Sequence, residues 1–209
     1  IDRLTAVMLL LVTGVSSLVH VYTIGYMHGD PGYARFFGYI ALFTFSMLML
    51  VLADNLLQLF VFWEAVGLCS YLLIAYAYNR PDAAINATRV FVTNRIGEAG
   101  FILGTGLSYA WTGSIDWNQL NAASAQLTTG EATGIALCFA MAAFAKSAQL
   151  PFTPWLARAM EGPTPSSAVF YGAVMVHAGV YLVCLLEPVF EQAPLAMVVL
   201  AIAGGSTAI

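Results

Sequence analysis

Three ionisable side chains lie within long apolar segments, where a charged group is unfavourable. Lys146, the only lysine of the chain, lies in GIALCFAMAAFAKSAQLPF. Glu64 lies in LLQLFVFWEAVGLCSYLLIAYAY, and His177 lies in SSAVFYGAVMVHAGVYLV. A charge at the centre of a membrane costs about 2.5–3.5 kcal/mol on insertion scales, so such residues persist where they pair with each other or carry ions. Together the three residues predict ion translocation.

Glu64 and Lys146 have opposite charges. Glu64 follows Asp54 by 10 residues and precedes Arg80 by 16, so its side chain cannot reach either end of the apolar segment. An isolated charge in hydrocarbon is strongly unfavourable, and we therefore expect the two head groups to interact. The pattern is compatible with a structural ion pair, or with a proton carrier whose carboxyl group is protonated when the amine is not.

Three further side chains are candidates for proton handling. Arg95 and Glu98, in RVFVTNRIGEAGF, are spaced i,i+3 and so share one side of a helix. They form either a purely structural pair or a pair that tunes the proton carriers. The imidazole of His177 can both donate and accept a proton near neutral pH, which favours a relay over a packed core residue. Tyr171, six residues earlier, can contribute to the same hydrated region.

The composition is that of an integral membrane protein. Hydrophobic residues make up 60% and charged residues 9% of the 209 positions, and the mean hydropathy is +0.82. A chain with so few charges cannot build the polar surface of a soluble domain. The net charge of −4 is small and dispersed, which argues against a nucleic-acid partner. We expect the lipid bilayer to surround the chain.

Cofactor motifs are not visible in the sequence. Cys69, Cys138 and Cys184 are widely separated and form no C-x-x-C pair, which excludes an iron–sulfur or structural zinc site by spacing. No glycine-rich nucleotide motif follows a strand-like segment. We therefore expect no catalytic residues, no metal and no cofactor in this chain.

Apolar segments long enough to cross a membrane recur along the chain. About 20 apolar residues cover about 30 Å of hydrocarbon, and backbone exposed to lipid must be helical. We predict an all-α, polytopic transmembrane helix bundle, with residues 1–209 as a single transmembrane domain. The predicted spans lie near residues 4–24, 36–53, 56–78, 89–111, 133–150 and 163–186, and a further span starts at 194–209. Because the chain lacks a starting methionine and ends within an apolar segment, we expect a fragment.

Two prolines follow Lys146 closely. Pro151 and Pro154 each lack a backbone donor and disfavour helix in the preceding residue, which predicts a discontinuous helix beside a polar cavity. Such breaks mark ion sites in transporters. The alternative is a helix that ends at Leu150, with Lys146 extended towards the membrane surface.

The arginines predict the orientation in the membrane. Arg35, Arg80, Arg89 and Arg158 fall on one side of the predicted spans, and Arg3 falls on the other. By the positive-inside rule the arginine-rich side is cytoplasmic. The polar connection 112–132 then lies on the opposite side.

Several long strings identify a resemblance to a known family. The strings FWEAVGLCSYLLIAY, NRIGEAGF and AKSAQLPFTPWLARAMEGPTPSSA resemble the antiporter-like, proton-translocating membrane subunits of the complex I superfamily. The resemblance is strongest to subunit L of NADH:quinone oxidoreductase, the mitochondrial subunit 5. It extends over nearly all 209 residues.

The resemblance implies a fold, a function and a location. The fold would contain two inverted five-helix repeats, of which this chain supplies the first. Glu64 and Lys146 would form the buried proton-handling pair, and Arg95 and Glu98 would tune it. The chain would be one subunit of a multi-subunit translocase in a bacterial inner membrane or an equivalent energy-transducing membrane, with the redox chemistry in other subunits.

One string departs from subunit L. Where that subunit has I-H-A-A-T-M-V, this chain has F-Y-G-A-V-M-V, with Tyr171 in place of the histidine. His177 instead occupies a position that is lysine in some relatives. The string FYGAVMVHAG is also similar to the membrane subunit of two-component bicarbonate-uptake systems, which act with a soluble zinc protein. Proton-coupled inorganic carbon uptake and a sodium–proton antiporter subunit therefore stand as alternatives.

Overall fold

The computed structural model describes residues 2–172 and 174–208, without the side chains of residues 170–172. Within these ranges every regular element is helical, apart from an isolated bridge between Asn55 and Asp116. The helices are α1 (Arg3–Tyr26), α2 (Tyr33–Val51), α3 (Leu56–Ile74), α4 (Pro81–Thr112), α5 (Trp117–Ala123), α6 (Thr129–Lys146), α7 (Pro154–Arg158), α8 (Thr164–Gly172), α9 (His177–Leu185), α10 (Glu187–Glu191) and α11 (Pro194–Thr207). The fold class is the all-helical one that the sequence predicts.

Three helices, α1 to α3, are long and apolar enough to cross a membrane. They coincide with the first three predicted spans. Helix α4 begins at Pro81, eight residues before the predicted span, because proline suits the first turn of a helix and Asp82 complements the positive end of its dipole. The predicted span is drawn from apolar residues alone, so it does not include this polar first turn.

The segment predicted as one span over 163–186 contains two helices. Helix α8 ends at Gly172, residues 174–176 form a bend and a turn, and α9 begins at His177. A glycine within a helix costs about 1 kcal/mol relative to alanine, which makes Gly172 a favourable place for α8 to end. The hydropathy is uniform across 163–186, so it does not predict where the helix is interrupted.

The described residues form two compact units, and α3 and α4 contribute to both. The first unit contains residues up to 53, 61–92 and 154–176. Here α1 packs on α2 and on α8. One face of α2, formed by Phe36, Ile40, Phe43, Met47 and Leu50, is completely buried. The helical spacing of these residues explains how α2 presents a continuous apolar stripe to its neighbours.

An acid–hydroxyl contact joins two loops of the first unit. The Asp30 carboxylate accepts hydrogen bonds from the Gly32 amide at 2.6 Å and from the Tyr76 hydroxyl at 2.5 Å. The Arg35 guanidinium donates to the Tyr76 carbonyl at 3.3 Å and lies over the rings of Tyr76 and Tyr78. The hydrogen bonds from Tyr76 and Gly32 lower the pKa of Asp30, while burial and the Asp30 carboxylate raise the pKa of Tyr76.

The second unit contains residues 54–60, 93–153 and 177 onwards. Helix α6 lies at its centre and packs on α9, α10 and α11. The rings of Phe60, Phe101 and Phe139 are in contact, with centroid distances of 5.4 and 5.3 Å. These contacts place the part of α4 that follows residue 92 against α6.

Candidate functional site

Helix α6 carries Lys146 in its last turn. The helix starts with a capping box, in which the Thr128 hydroxyl accepts from the Glu131 amide and the Glu131 carboxylate accepts from the Thr128 amide. It ends at Lys146, and a cation in the last turn is favoured by the negative end of the helix dipole. The Lys146 side chain is 1% exposed, which is the burial that the sequence predicts for this residue.

The backbone after Lys146 is irregular for seven residues. Residues 147–153 form turns and bends before α7 begins at Pro154, and the Leu150–Pro151 peptide bond is cis. Ala148 has a φ of 51°, in the left-handed region. The discontinuity predicted at 151–154 is therefore confirmed, although it starts earlier, directly after Lys146. It removes the alternative in which the helix continues to Leu150.

Lys146 forms an ion pair with Glu98 of α4. The distance from Lys146 Nζ to Glu98 Oε1 is 3.2 Å, and the distance from Arg95 Nε to Glu98 Oε2 is 3.4 Å. The side chains of Lys146 and Glu98 are 1% and 5% exposed, whereas that of Arg95 is 46% exposed. One buried carboxylate is thus shared by a buried ammonium and a half-exposed guanidinium.

The i,i+3 pair between Arg95 and Glu98 is present as predicted, but sequence reasoning missed the contact between Glu98 and Lys146. The two residues are 48 positions apart, so no spacing rule connects them. The available signal was the small side chains around both residues. Gly97 and Gly100 flank Glu98, and Ala142, Ala143 and Ala145 precede Lys146, which permits two helices to approach closely.

A cavity of about 330 Å³ adjoins the end of α6. Most of its lining is apolar, including Phe144, Val183 and Leu200, and Ser147 and Gln149 supply polar atoms. The polar cavity expected beside the helix break is therefore present only in part. The residues that line the cavity belong to α6, α9, α11 and the segment after Lys146.

His177 is the first residue of α9, the helix that packs on α6. Its ring is partly buried, and no described residue forms a hydrogen bond with its Nδ1 atom. Two residues later, Gly179 fits against the carbonyl of Ala143 and the hydroxyl of Ser147. This packing places α9 against the last turn of α6. The side chain of Tyr171 lies outside the described residues.

Glu64 is partly buried on α3. It belongs to the first unit and Lys146 to the second. The contact expected between these two head groups stays a prediction. The site that the structure assembles consists of Lys146, Glu98 and Arg95.

Comparison with known proteins identifies the family. The family described as "NADH:quinone oxidoreductase/Mrp antiporter, TM" matches residues 53–209. A second, described as "NADH-Ubiquinone oxidoreductase (complex I), chain 5 N-terminus", matches residues 1–37. The two matches together extend over most of the chain.

Similar full-length proteins carry related descriptions. The chain is 47% identical over 215 residues to the chloroplastic NAD(P)H-quinone oxidoreductase subunit 5 of Zygnema circumcarinatum, covering 100% of this chain and 31% of that protein. It is 46% identical over 207 residues to NADH-quinone oxidoreductase subunit L of Mycobacterium tuberculosis, covering 99% and 33% respectively. The chain therefore spans about a third of the length of the curated relatives it matches.

A solved structure agrees with these matches. A chain of the Mrp complex from Dietzia sp. DQ12-45-1b is 37% identical and superposes with a TM-score of 0.83, over 87% of this chain and 20% of that one. Sequence and fold thus lead to the same group of proteins. The chain belongs to the family of antiporter-like membrane subunits shared by NADH:quinone oxidoreductase and the Mrp antiporter.

Proposed function

We propose that this chain translocates protons as part of a membrane subunit of an NADH:quinone oxidoreductase-type complex. The buried ion pair between Lys146 and Glu98, at the point where α6 ends, is the observation that carries the proposal. Buried ionisable groups inside a membrane bundle are unfavourable unless they serve ion transfer or pair with each other. Lys146 and Glu98 pair with each other at the end of α6, and this pairing supports a role for the site in ion transfer.

The shared carboxylate provides a means of controlling the Lys146 proton. Glu98 contacts Lys146 through Oε1 and Arg95 through Oε2. Two opposite charges 4 Å apart attract by about 4 kcal/mol at an effective dielectric constant of 20. A movement of Glu98 towards Arg95 would weaken the attraction that favours the charged form of Lys146. Arginine keeps its proton throughout, so Arg95 can hold Glu98 without entering the transfer.

The remaining proposed proton-handling residues are Glu64, His177 and Tyr171. We propose Glu64 as the group that exchanges a proton with Lys146, because both lie within apolar segments. We propose His177 as the next group along the path, because α9 packs on α6 and the Nδ1 atom lacks a described hydrogen-bond partner. Tyr171 would contribute a hydroxyl to the same hydrated region.

The relatives support an assembly of the oxidoreductase type. The curated relatives at 46–47% identity are named as quinone oxidoreductase subunits, whereas the Mrp chain is 37% identical. The partners that we propose are the other membrane subunits of such a complex. The redox chemistry would take place in subunits other than this chain. The Mrp match keeps a sodium–proton antiporter subunit as the second candidate.

Substitution of Lys146 in the assembled complex, reconstituted into proteoliposomes, tests the proposal. Lys146→Ala should reduce proton flux at least tenfold while the complex still assembles. Lys146→Arg should restore little of it, because arginine does not release its proton. Arg158→Ala, which removes an exposed cation, is the control and should leave flux unchanged.

Two results would contradict the proposal. Normal proton flux in Lys146→Ala would exclude Lys146 as a carrier. Sodium flux that depends on Lys146, without proton uptake driven by the redox reaction, would favour the antiporter assembly. A pH-sensitive dye and a sodium-selective dye inside the liposomes distinguish the two fluxes.

A further inference from the structure

Helix α4 leaves no room for a side chain towards α6 next to the ion pair. A Cβ atom placed on Gly97 would lie 2.1 Å from the Cβ of Ala145 and 3.4 Å from the Met141 carbonyl oxygen. Gly97 directly precedes Glu98, and Ala145 directly precedes Lys146. Of the α4 glycines that face α6, Gly97 leaves the least room for a side chain, and this tight place is one residue away from both charged partners.

The contact cannot be relieved by a side-chain rotation. The Ala145 Cβ is fixed to the backbone of α6, so a methyl group on Gly97 would have to displace a helix. Carbon atoms in contact lie about 3.5–4.0 Å apart, so the two backbones would have to separate locally by about 1.5 Å. Gly100 adds a second restriction, since its Cβ would lie 2.5 Å from the Cys138 carbonyl oxygen.

The separation of α4 and α6 determines the distance between Lys146 Nζ and Glu98 Oε1. The Lys146 and Glu98 atoms are 3.2 Å apart, and both side chains are almost completely buried, which limits their rearrangement. An increase of about 1.5 Å would take this distance beyond the range of an ion pair.

We propose that Gly97 and Ala145 are positioning residues that hold Glu98 within contact distance of Lys146. They touch neither the proton nor its carriers. Their role is to fix the spacing of α4 and α6 where the buried carboxylate of Glu98 meets the buried ammonium of Lys146. The consequence for proton transfer rests on the function proposed above, whereas the effect on the ion pair does not.

The ion pair can be measured directly, because Lys146 is the only lysine in the sequence. The full chain is labelled with ¹⁵N at lysine Nζ and with ¹³C at the glutamate carboxyl carbons, and is reconstituted into lipid bilayers. Dipolar dephasing by magic-angle-spinning NMR then reports the distance from the lysine amine to the nearest glutamate carboxyl. Glu98→Gln identifies the part of the dephasing that comes from Glu98.

Gly97→Ala should weaken the lysine–glutamate dipolar coupling about threefold, since the coupling falls with the cube of the distance and the separation grows by about 1.5 Å. The double variant Gly97→Ala/Ala145→Gly removes one methyl group where another is added, and should restore the coupling. Gly106→Ala is the matched control on the same helix, because its Cβ meets nothing within 4 Å. It should keep the wild-type coupling.

Wild-type coupling in Gly97→Ala would overturn the inference. If Gly97→Ala does not fold, the double variant carries the test, and its failure to fold or to regain the coupling would also overturn the inference. Proton flux is measured on the same variants. Loss of coupling with normal flux would leave the positioning role intact and contradict the proposed function instead.

Discussion

Single residues carry the charges on which the proposed function depends. Glu98 has a contact in the structure that the sequence did not predict. Its i,i+3 spacing predicts a local pair with Arg95, and that pair is present at 3.4 Å. Its second contact, with Lys146, connects the local pair to the buried lysine. A carboxylate with two cationic neighbours can move towards either of them. A carboxylate with a single cationic neighbour has no such alternative.

The residue-scale prediction concerns His177. We expect His177→Phe to reduce proton flux about tenfold with the complex assembled, because general acid–base groups typically contribute at least a hundredfold and water can replace part of that. Tyr171→Phe should have a milder effect, since a phenol with a pKa near 10 is a poor proton carrier at neutral pH. Flux in proteoliposomes measures both variants. Equally small losses would show that His177 is only a packing residue.

At the scale of elements, helix ends and loops position the reactive groups. Helix α6 ends at Lys146, so the buried amine lies beside irregular backbone rather than within a regular helix. In the first unit, Asp30 and Tyr76 connect the loop between α1 and α2 to the loop after α3. In the first unit, a contact outside the apolar stretches thus connects the ends of these helices.

The element-scale prediction concerns the pH dependence of the Asp30 contact. The hydrogen bonds from Tyr76 and Gly32 lower the pKa of Asp30 below the ordinary value of 3.8. A carboxyl group with a lowered pKa stabilises the fold fully above its ordinary value, and the stabilisation is lost as the pH falls through the lowered value. The melting temperature of the wild type should therefore fall more steeply below about pH 4 than that of Asp30→Asn.

Differential scanning fluorimetry in detergent between pH 7 and pH 2 measures this effect. Glu191→Gln, which alters an exposed carboxylate on α10, serves as the control and should keep the wild-type profile. Identical slopes for the wild type and Asp30→Asn would show that the contact does not contribute to stability.

At the scale of the whole molecule, the chain is a membrane protein built only from helices over the residues described. Helices α1 to α3 have the length and hydropathy to cross the bilayer. The first five-helix repeat and the single transmembrane domain, both expected from the sequence, stay predictions. They depend on the arrangement of helices in the bilayer.

The whole-molecule prediction is the orientation. The positive-inside rule places Arg80 and Arg158 in the cytoplasm and the 112–132 connection on the opposite side. In a cysteine-free background, Asn118→Cys in intact cells should react with an impermeant maleimide. Asp82→Cys should react only after the membrane is opened. The reverse pattern of labelling would contradict the orientation.

The sequence by itself determined the class of fold and most of the candidate residues. Apolar segments of membrane length require helices because lipid cannot satisfy backbone polar groups. The prolines after Lys146 indicated an interruption, and an isolated lysine in hydrocarbon indicated ion chemistry. These inferences are local, since each depends on the cost of placing one group in one environment.

Only the tertiary structure decided which charges meet. A membrane helix is apolar on nearly every side, so its pattern does not show which face packs against a neighbour. The partner of Lys146 in the second unit is Glu98, 48 residues away, and the contact exists because Gly97 allows α4 to approach Ala145 of α6. Sequence spacing along one helix cannot give a distance between two helices, because that distance is set by the smallest side chains at their crossing.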